Sequence, residues 1–269
     1  MNRIQAENFV TDPLPRISVV LPCHNEQDNL RPLLAAICAA LEPRGEAFEI
    51  VVTDDCSTDT SWTLLQAMAA ADPRVRVQKL VKNSGQSAAV WAGIQSARGE
   101  IIVTLDADLQ NDPADMPKLL DALRDADCAT GSRVAARAKG DNLTRQISSR
   151  IANWVRNKVS GEQVSDAACG FRAFRRDCAQ QLKFFKGMHR FLATLFRIEG
   201  FKVVEVPISH HPRHAGLSHY GVMNRMFSAS YDLFAVRWMK KRMFRFDVAE
   251  SHPPEMKANR RTQVWLAPK

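Results

Sequence analysis

Between positions 16 and 132 the chain alternates short β-branched runs with segments of helical apolar spacing, and this alternation limits the fold more than any other feature. The runs occupy 16–22, 48–53, 75–80, 101–105 and 126–132; the helical segments occupy 29–41, 61–71, 86–97 and 113–125. Consecutive parallel strands need a crossover that a helix supplies. The pattern therefore predicts an α/β fold with a parallel, doubly wound sheet flanked by helices. Ligands in such sheets sit outside the carboxyl ends of the strands. The clusters Pro22-Cys23-His24-Asn25-Glu26, Asp54-Asp55 and Asp106-Ala107-Asp108-Leu109-Gln110 all fall there, and their convergence on one edge describes a site.

The third cluster closes the apolar run Ile101-Ile102-Val103-Thr104-Leu105 with two carboxylates one residue apart and an amide two residues later. Mg²⁺ and Mn²⁺ favour such hard oxygen donors, and a phosphate-bound cation takes only one or two carboxylates from the protein. Asp-x-Asp by itself is common, and two solvated aspartates at a strand end are the alternative; placement beside Glu26 and Asp55 favours the metal. No Gly-x-Gly-x-x-Gly follows the first strand and no P-loop occurs anywhere. If a nucleotide binds, a metal and side chains must hold its phosphates.

A chain of 269 residues with 45% hydrophobic and 25% charged residues fits a globular protein of one large domain or two small ones. No apolar run approaches the ~18 residues that cross a bilayer, and the N-terminus lacks the apolar segment of a secretory signal. Six cysteines without a Cys-x-x-Cys pair read as reduced thiols of a cytosolic protein and give zinc no support. The net charge of +8 is concentrated in 133–158 and 237–245. Those stretches suit an anionic membrane surface, phosphorylated substrates or nucleic acid, or are solvated helix faces.

In the second half, 145–159 reads as a helix with Ile147, Ile151, Trp154, Val155 and Val159 on one face and Arg145, Arg150, Arg156 and Lys158 elsewhere. A small-residue turn at 166–174 leads into a short strand, followed by a helix at 188–199 and a strand at 202–208. The loop holding His210, His211, His214 and His219 matches no strong metal template and reads as phosphate-facing. In the long helix 222–246, Met223, Met226, Phe227, Tyr231, Phe234 and Trp238 share one side, and cations gather toward its end. That side either packs in the core or meets a membrane. The expected organisation is an N-terminal extension (1–15), a catalytic domain (16–220), an amphipathic basic helix for membrane-surface or subunit contact (221–246) and a disordered tail (247–269).

Val20-Leu21-Pro22-Cys23-His24-Asn25-Glu26, Thr53-Asp54-Asp55-Cys56-Ser57-Thr58-Asp59 and Asp106-Ala107-Asp108-Leu109-Gln110 together resemble the ordered signatures of family 2 glycosyltransferases. Gln110, Gly131-Ser132-Arg133, Cys169-Gly170-Phe171-Arg172 and the Arg213…Gly216-x-Ser218 loop resemble the polyprenyl-phosphate branch of that family, whose acceptors are dolichol or undecaprenyl phosphate. The resemblance implies a GT-A-type, mostly parallel, Rossmann-like sheet with C-terminal amphipathic helices. It implies that Pro22, His24, Glu26, Asp55, Asp106 and Ala107 bind a nucleotide-sugar donor carrying GDP or UDP. Asp106, Asp108 and Gln110 would hold Mg²⁺ or Mn²⁺, with Asp108 catalytic. Arg133, Arg145, Arg213 and Ser218 would receive the acceptor phosphate. Asp166 would orient the acceptor or the sugar; its alternative is a turn-forming Asp. His24 stands where an aromatic hydroxyl is often found, and His219 where Lys is usual, so charge at 219 would depend on pH.

The implied reaction is an inverting attack by a polyprenyl phosphate on a nucleotide sugar. The enzyme would be peripheral on the cytoplasmic face of the membrane, held by its basic helices or by a separate membrane subunit. The alternative acceptor is a saccharide or protein hydroxyl. A more remote alternative is a non-catalytic membrane- or nucleic-acid-binding module; the intact acidic motifs weigh against a nucleic-acid partner.

Overall fold

The computed structural model describes residues 14–134, 166, 169–211 and 222–243. Arg145, Arg213, Ser218, His214, His219, the basic helix expected at 145–159 and the tail at 247–269 lie outside the described residues, as does nearly all of the extension at 1–15.

The chain runs through β1 (Ile17–Cys23), α1 (Gln27–Leu41), β2 (Phe48–Asp54), α2 (Ser61–Ala71), β3 (Val75–Lys79), α3 (Gln86–Ser96), β4 (Ile101–Thr104), α4 (Met116–Ala122) and β5 (Cys128–Ser132). It continues through β6 (Arg172–Arg175), α5 (Arg176–Gln180), α6 (Leu192–Ile198), β7 (Val203–Pro207) and α7 (Val222–Arg242). The strands form one sheet in the order β3-β2-β1-β4-β6-β5-β7. All neighbours pair in parallel except at β6, which is antiparallel to both β4 and β5. The expected sheet was wholly parallel in its first five strands; β6 wedges between β4 and β5 without reversing either. Its direction follows from its entry point. The chain leaves β5 at the carboxyl edge and enters β6 from that same edge, as Gly131 N donating to Phe171 O at 2.9 Å shows.

Two expected helices are shorter than their apolar spacing implied. The segment 113–125 opens as a single 3₁₀ turn, Pro113–Asp115, with Asp112 accepting from Ala114 N at 2.9 Å, before α4 begins. Segment 188–199 divides into a 3₁₀ turn, Met188–Arg190, and α6. It starts from Gly187 at φ +97°, a left-handed conformation that favours glycine.

Strands covered on both faces must be apolar on both, and β1 and β2 are. Ile17, Val19, Leu21 and Cys23 point into a core with Leu30, Leu33, Ile37 and Leu41 of α1. Val20 points the other way, into a second core with Val90 and Ile94 of α3, Phe174 of β6 and Phe196 of α6. Leu233 and Val236 of α7 are buried in that second core, whereas Tyr231, Phe234 and Trp238 are 79%, 64% and 61% exposed. The aromatic side of α7 is thus not its core side.

At the amino edge of the sheet one buried carboxylate ties four segments together. Glu49 Oε1 accepts from Ser18 Oγ and Arg98 N, both at 2.6 Å, and Oε2 accepts from Arg98 Nε and Arg76 Nη1, both at 2.9 Å. Ser18 Oγ in turn accepts from Gly99 N at 2.7 Å. A Cβ on Gly99 would lie 2.7 Å from Ser18 N, so only glycine lets the turn into β4 approach β1 this closely. Burial raises the Glu49 pKa, but hydrogen bonds from Ser18, Arg98 and Arg76 outweigh it and hold the carboxyl below its ordinary range. The stabilisation is therefore complete above the unfolded-state value of about 4.3 and is lost as pH falls through the lower folded-state value. Glu49→Ala should lower the unfolding free energy by about 2–3 kcal/mol at neutral pH, because it strands buried donors. In denaturant titrations the gap from the parent should close only below about pH 4; a gap unchanged at lower pH would contradict this assignment.

Candidate active site

Register places the site. Cys23 pairs with Asp54 across β1 and β2, and Val20 pairs with Thr104 across β1 and β4, so the segments after all three strands leave one edge together. Pro22 is half-buried in β1 opposite Thr53, and His24 and Glu26 are half-buried just beyond. Asn25 knits the first loop to the second. Its Oδ1 accepts from Thr58 N at 2.8 Å, and its N donates to Ser57 Oγ at 2.9 Å. Glu26 N donates to Ser61 Oγ at 2.9 Å, and Glu26 Oε2 accepts from Asn29 Nδ2 at 2.6 Å. His24 Nδ1 lies 3.0 Å from Asp55 O.

Asp55, expected at the donor, is buried with both oxygens engaged: Oδ1 accepts from Ser84 N at 2.7 Å and Oδ2 from Gly85 N at 2.8 Å. Its carboxylate shapes the turn between β3 and α3, which brings the start of α3 to the site. Among the described residues the non-glycine positions with positive φ are Asn25 (56°), Cys56 (60°) and Leu109 (57°), one in each strand-end loop. Such strain costs about 1–3 kcal/mol per residue and collects where loops are held for function. Nothing in the sequence pattern marked Cys56 or Leu109 for this conformation.

The Asp106–Gln110 turn is fixed from several sides. Leu105 N donates to Val20 O at 3.2 Å, and Ala107 is buried in the first core. Asp106 Oδ1 accepts from Gln86 Nε2 at 2.8 Å. A Cβ on Gly170 would lie 2.4 Å from Asp106 Oδ2, so the glycine backbone makes room for this carboxylate. Asp108, 8% exposed, accepts through Oδ1 from Gln110 N at 3.2 Å. Gln110 O accepts from His211 N at 2.9 Å, which holds His211 beside the motif.

Burial and then the neighbouring Asp108 charge push the Asp106 carboxyl up to about 6, against the opposing pull of Arg172 and Arg133. Two like charges crowded at a strand end are what a divalent cation relieves. Among the described residues no group of three or more His, Cys, Asp or Glu side chains could hold a metal ion. The donor set fits Mg²⁺ or Mn²⁺ that completes its shell with substrate phosphate and water. Asp106, Asp108 and Gln110 are the residues that would hold it.

Arg133 and Asp166, read from sequence as phosphate ligand and catalytic carboxylate, are partners of one another. Asp166 Oδ2 accepts from Arg133 N at 3.1 Å and Nε at 2.7 Å, and Oδ1 accepts from Nη2 at 3.0 Å. Both are buried, 6% and 3% exposed. Fork-to-fork geometry of this kind fixes direction as well as charge. Asp166 is therefore engaged by Arg133 on both oxygens. Cys169, nearby, is buried, and burial pushes its thiol pKa up and disfavours the thiolate.

Sequence reading did not assign roles to Arg172, Gln86, Ser87 or His189. Arg172 is buried on β6 opposite Thr104 and Thr130, and its charge reaches Asp106. The one signal that pointed to it was its place in Cys169-Gly170-Phe171-Arg172.

The family model described as glycosyl transferase family 2 matches residues 18–183. The chain is 33% identical over 232 residues to a dodecaprenyl-phosphate galacturonate synthase of Rhizobium johnstonii, covering 84% of this chain and 67% of that protein. It is 34% identical over 226 residues to an undecaprenyl-phosphate 4-deoxy-4-formamido-L-arabinose transferase of Salmonella paratyphi A, covering 84% and 68%. In three dimensions it matches the glucosyl-3-phosphoglycerate synthase of Mycobacterium tuberculosis crystallised with Mg²⁺ and UDP. The TM-score is 0.60 at 20% identity, covering 84% of this chain and 79% of that one, and the likeness is one of fold. With a mostly parallel sheet that gathers three acidic loops at its carboxyl edge, and with a family match spanning most of that sheet, the chain belongs to glycosyl transferase family 2.

Proposed function

We propose that this glycosyltransferase moves a hexose-type sugar from a nucleotide sugar to a polyprenyl phosphate. The observation that carries the reading is the set of buried arginines beside the acidic turn, Arg133 and Arg172, combined with relatives whose names specify polyprenyl-phosphate acceptors. The loops after β1 and β2 would cradle the nucleoside, and Asp106, Asp108 and Gln110 would hold a divalent cation at the donor diphosphate. That cation supplies Lewis-acid stabilisation of leaving-group charge.

The chain's own residues do the rest. Gln86 aims Asp106, and Gly170 leaves room for it. Arg133, locked by Asp166, presents a fixed positive charge toward the acceptor phosphate, with Arg145, Arg213 and Ser218 as the further phosphate ligands. An oxygen lone pair of that phosphate attacks the anomeric carbon, and the bond to the nucleoside diphosphate breaks with its electrons leaving on the diphosphate. A single in-line displacement inverts the centre. The nucleophile is already an oxyanion near neutrality and needs no strong base. This agrees with an Asp166 whose oxygens are both bound by Arg133. A hydroxyl acceptor would demand a general base there.

Offered polyprenyl phosphate and the matching polyprenyl alcohol with a panel of GDP- and UDP-sugars, the enzyme should glycosylate the phosphate at least about a hundredfold faster, the scale of a missing general base. Equal transfer to both would sink the phosphate reading in favour of a hydroxyl acceptor.

The same proposal places the enzyme at a membrane surface. No helix among the described residues is long and apolar enough to cross a membrane. Tyr231, Phe234 and Trp238 are exposed on α7, and Lys240, Lys241 and Arg242 follow in its last turn. Exposed aromatics next to cations suit the headgroup region of an anionic bilayer. In vesicle sedimentation, Phe234→Ser with Trp238→Ser should weaken binding to anionic vesicles about tenfold or more, given the apolar area lost. Binding that is unchanged in this variant would move the membrane contact elsewhere.

A further inference from the structure

Asp106 is held from outside its own loop by Gln86, which begins a path of contacts reaching as far as Arg172. Gln86 Nε2 donates to Asp106 Oδ1 at 2.8 Å. The next residue, Ser87, is 5% exposed, and its Oγ accepts from Gly187 N at 2.8 Å and meets His189 Nδ1 at 2.6 Å. The carbonyl oxygen of His189 accepts from Arg172 Nη1 at 3.2 Å. Arg172 sits opposite Thr104, two residues before Asp106, and its charge stabilises the Asp106 carboxylate. The path thus leaves Asp106 through Gln86 and Ser87, passes His189 and reaches Arg172, whose charge acts on Asp106 across space.

A serine in the first turn of a helix ordinarily turns its hydroxyl to nearby backbone. Ser87 instead bridges to a turn 100 and 102 residues away. A buried neutral imidazole needs hydrogen-bond partners, and the one that Nδ1 takes is the serine next to Gln86. Burial pushes the His189 pKa down to about 3, with Arg190 and Arg172 adding to the effect, so the ring is neutral. It therefore joins the path as a hydrogen-bonding group and not as a charge.

We propose that His189 is a positioning residue of the donor site: through Ser87 it pins the first turn of α3, and with it the Gln86 amide, while its carbonyl seats Arg172, so that the Asp106 carboxylate stays aimed to hold a cation. This rests on the donor-site reading given above. Groups that orient a metal-binding carboxylate typically contribute about 10–100-fold to metal affinity.

The test is a Mn²⁺ titration of the full chain, read by electron paramagnetic resonance, with Mn²⁺ alone and with UDP or GDP added. Variants are Gln86→Ala, Ser87→Ala, the pair together, His189→Ala and His189→Asn, with melting temperatures in parallel. Gln86→Ala and Ser87→Ala should each weaken Mn²⁺ about tenfold. The double variant should lose no more than about twofold beyond the worse single one, because both act on one carboxylate. His189→Asn, whose amide reaches Ser87 as Nδ1 does, should recover most of what His189→Ala loses. Losses that multiply in the double variant, or a lower melting temperature with unchanged Mn²⁺ affinity in Ser87→Ala, overturn the proposal. A parent protein whose Mn²⁺ binding is absent, or is unaffected by Asp108→Ala, overturns the donor-site reading and the proposal with it.

Discussion

The hydrogen-bond register of β1 with β2 and β4 is the constraint on which the rest depends. Pairing Cys23 with Asp54 and Val20 with Thr104 ends β1 and β2 level and β4 three residues earlier at the same edge, so the loops after all three emerge there. A slip of one residue would exchange the faces of β1, moving Val20 into the core of α1 and Val19 into that of α3. Both faces are covered, and so the register is held by packing on each. Glu49 adds a polar lock at the opposite edge by joining the start of β2 to Ser18, Arg76 and Arg98. The rigid sheet can then support left-handed Asn25, Cys56 and Leu109, whose strain a free loop would relax.

Charge organises the carboxyl edge once the sheet has built it. Asp106 and Asp108 repel one another in a partly desolvated place, and the charges of Arg172 and Arg133 oppose that repulsion. Arg133 is instead forked to Asp166. Buried pairs of this type add less to stability than their proximity implies, since desolvation offsets the attraction, but removing one partner leaves the other exposed to the full cost. Here the pair fixes where a positive charge stands. The arrangement leaves Asp106 and Asp108 with like charges side by side, with the Arg172 guanidinium buried nearby and Arg133 paired to Asp166.

Much of this was legible in the sequence, and the parts that were not share one cause. Period and flanking polar residues predict β1 to β5 and the edge where Pro22–Glu26, Asp54-Asp55 and Asp106–Gln110 meet, because those signals are local. β6 is four residues long, and its direction depends on where the intervening chain returns, which no local pattern encodes. The same holds for the contacts of Gln86, Ser87, His189 and Arg172, whose partners lie on distant elements. Arg133 and Asp166 were each singled out, yet the residue types alone did not reveal that they bind one another. In α7 the helical period grouped Tyr231, Phe234 and Trp238 on one side but was silent on which side faces the core; Leu233 and Val236 do.

The central claim is that the turn after β4 is a cation-diphosphate anchor built by strand register. The most direct measurement is the anomalous scattering of Mn²⁺ in crystals grown with a nucleoside diphosphate. The account predicts one peak within about 2.3 Å of carboxylate oxygens of Asp106 or Asp108 and in contact with the diphosphate, as expected for a hard cation on oxygen ligands. A diphosphate bound at the carboxyl edge with no peak beside Asp108, or a Mn²⁺ peak held by other residues, would contradict it.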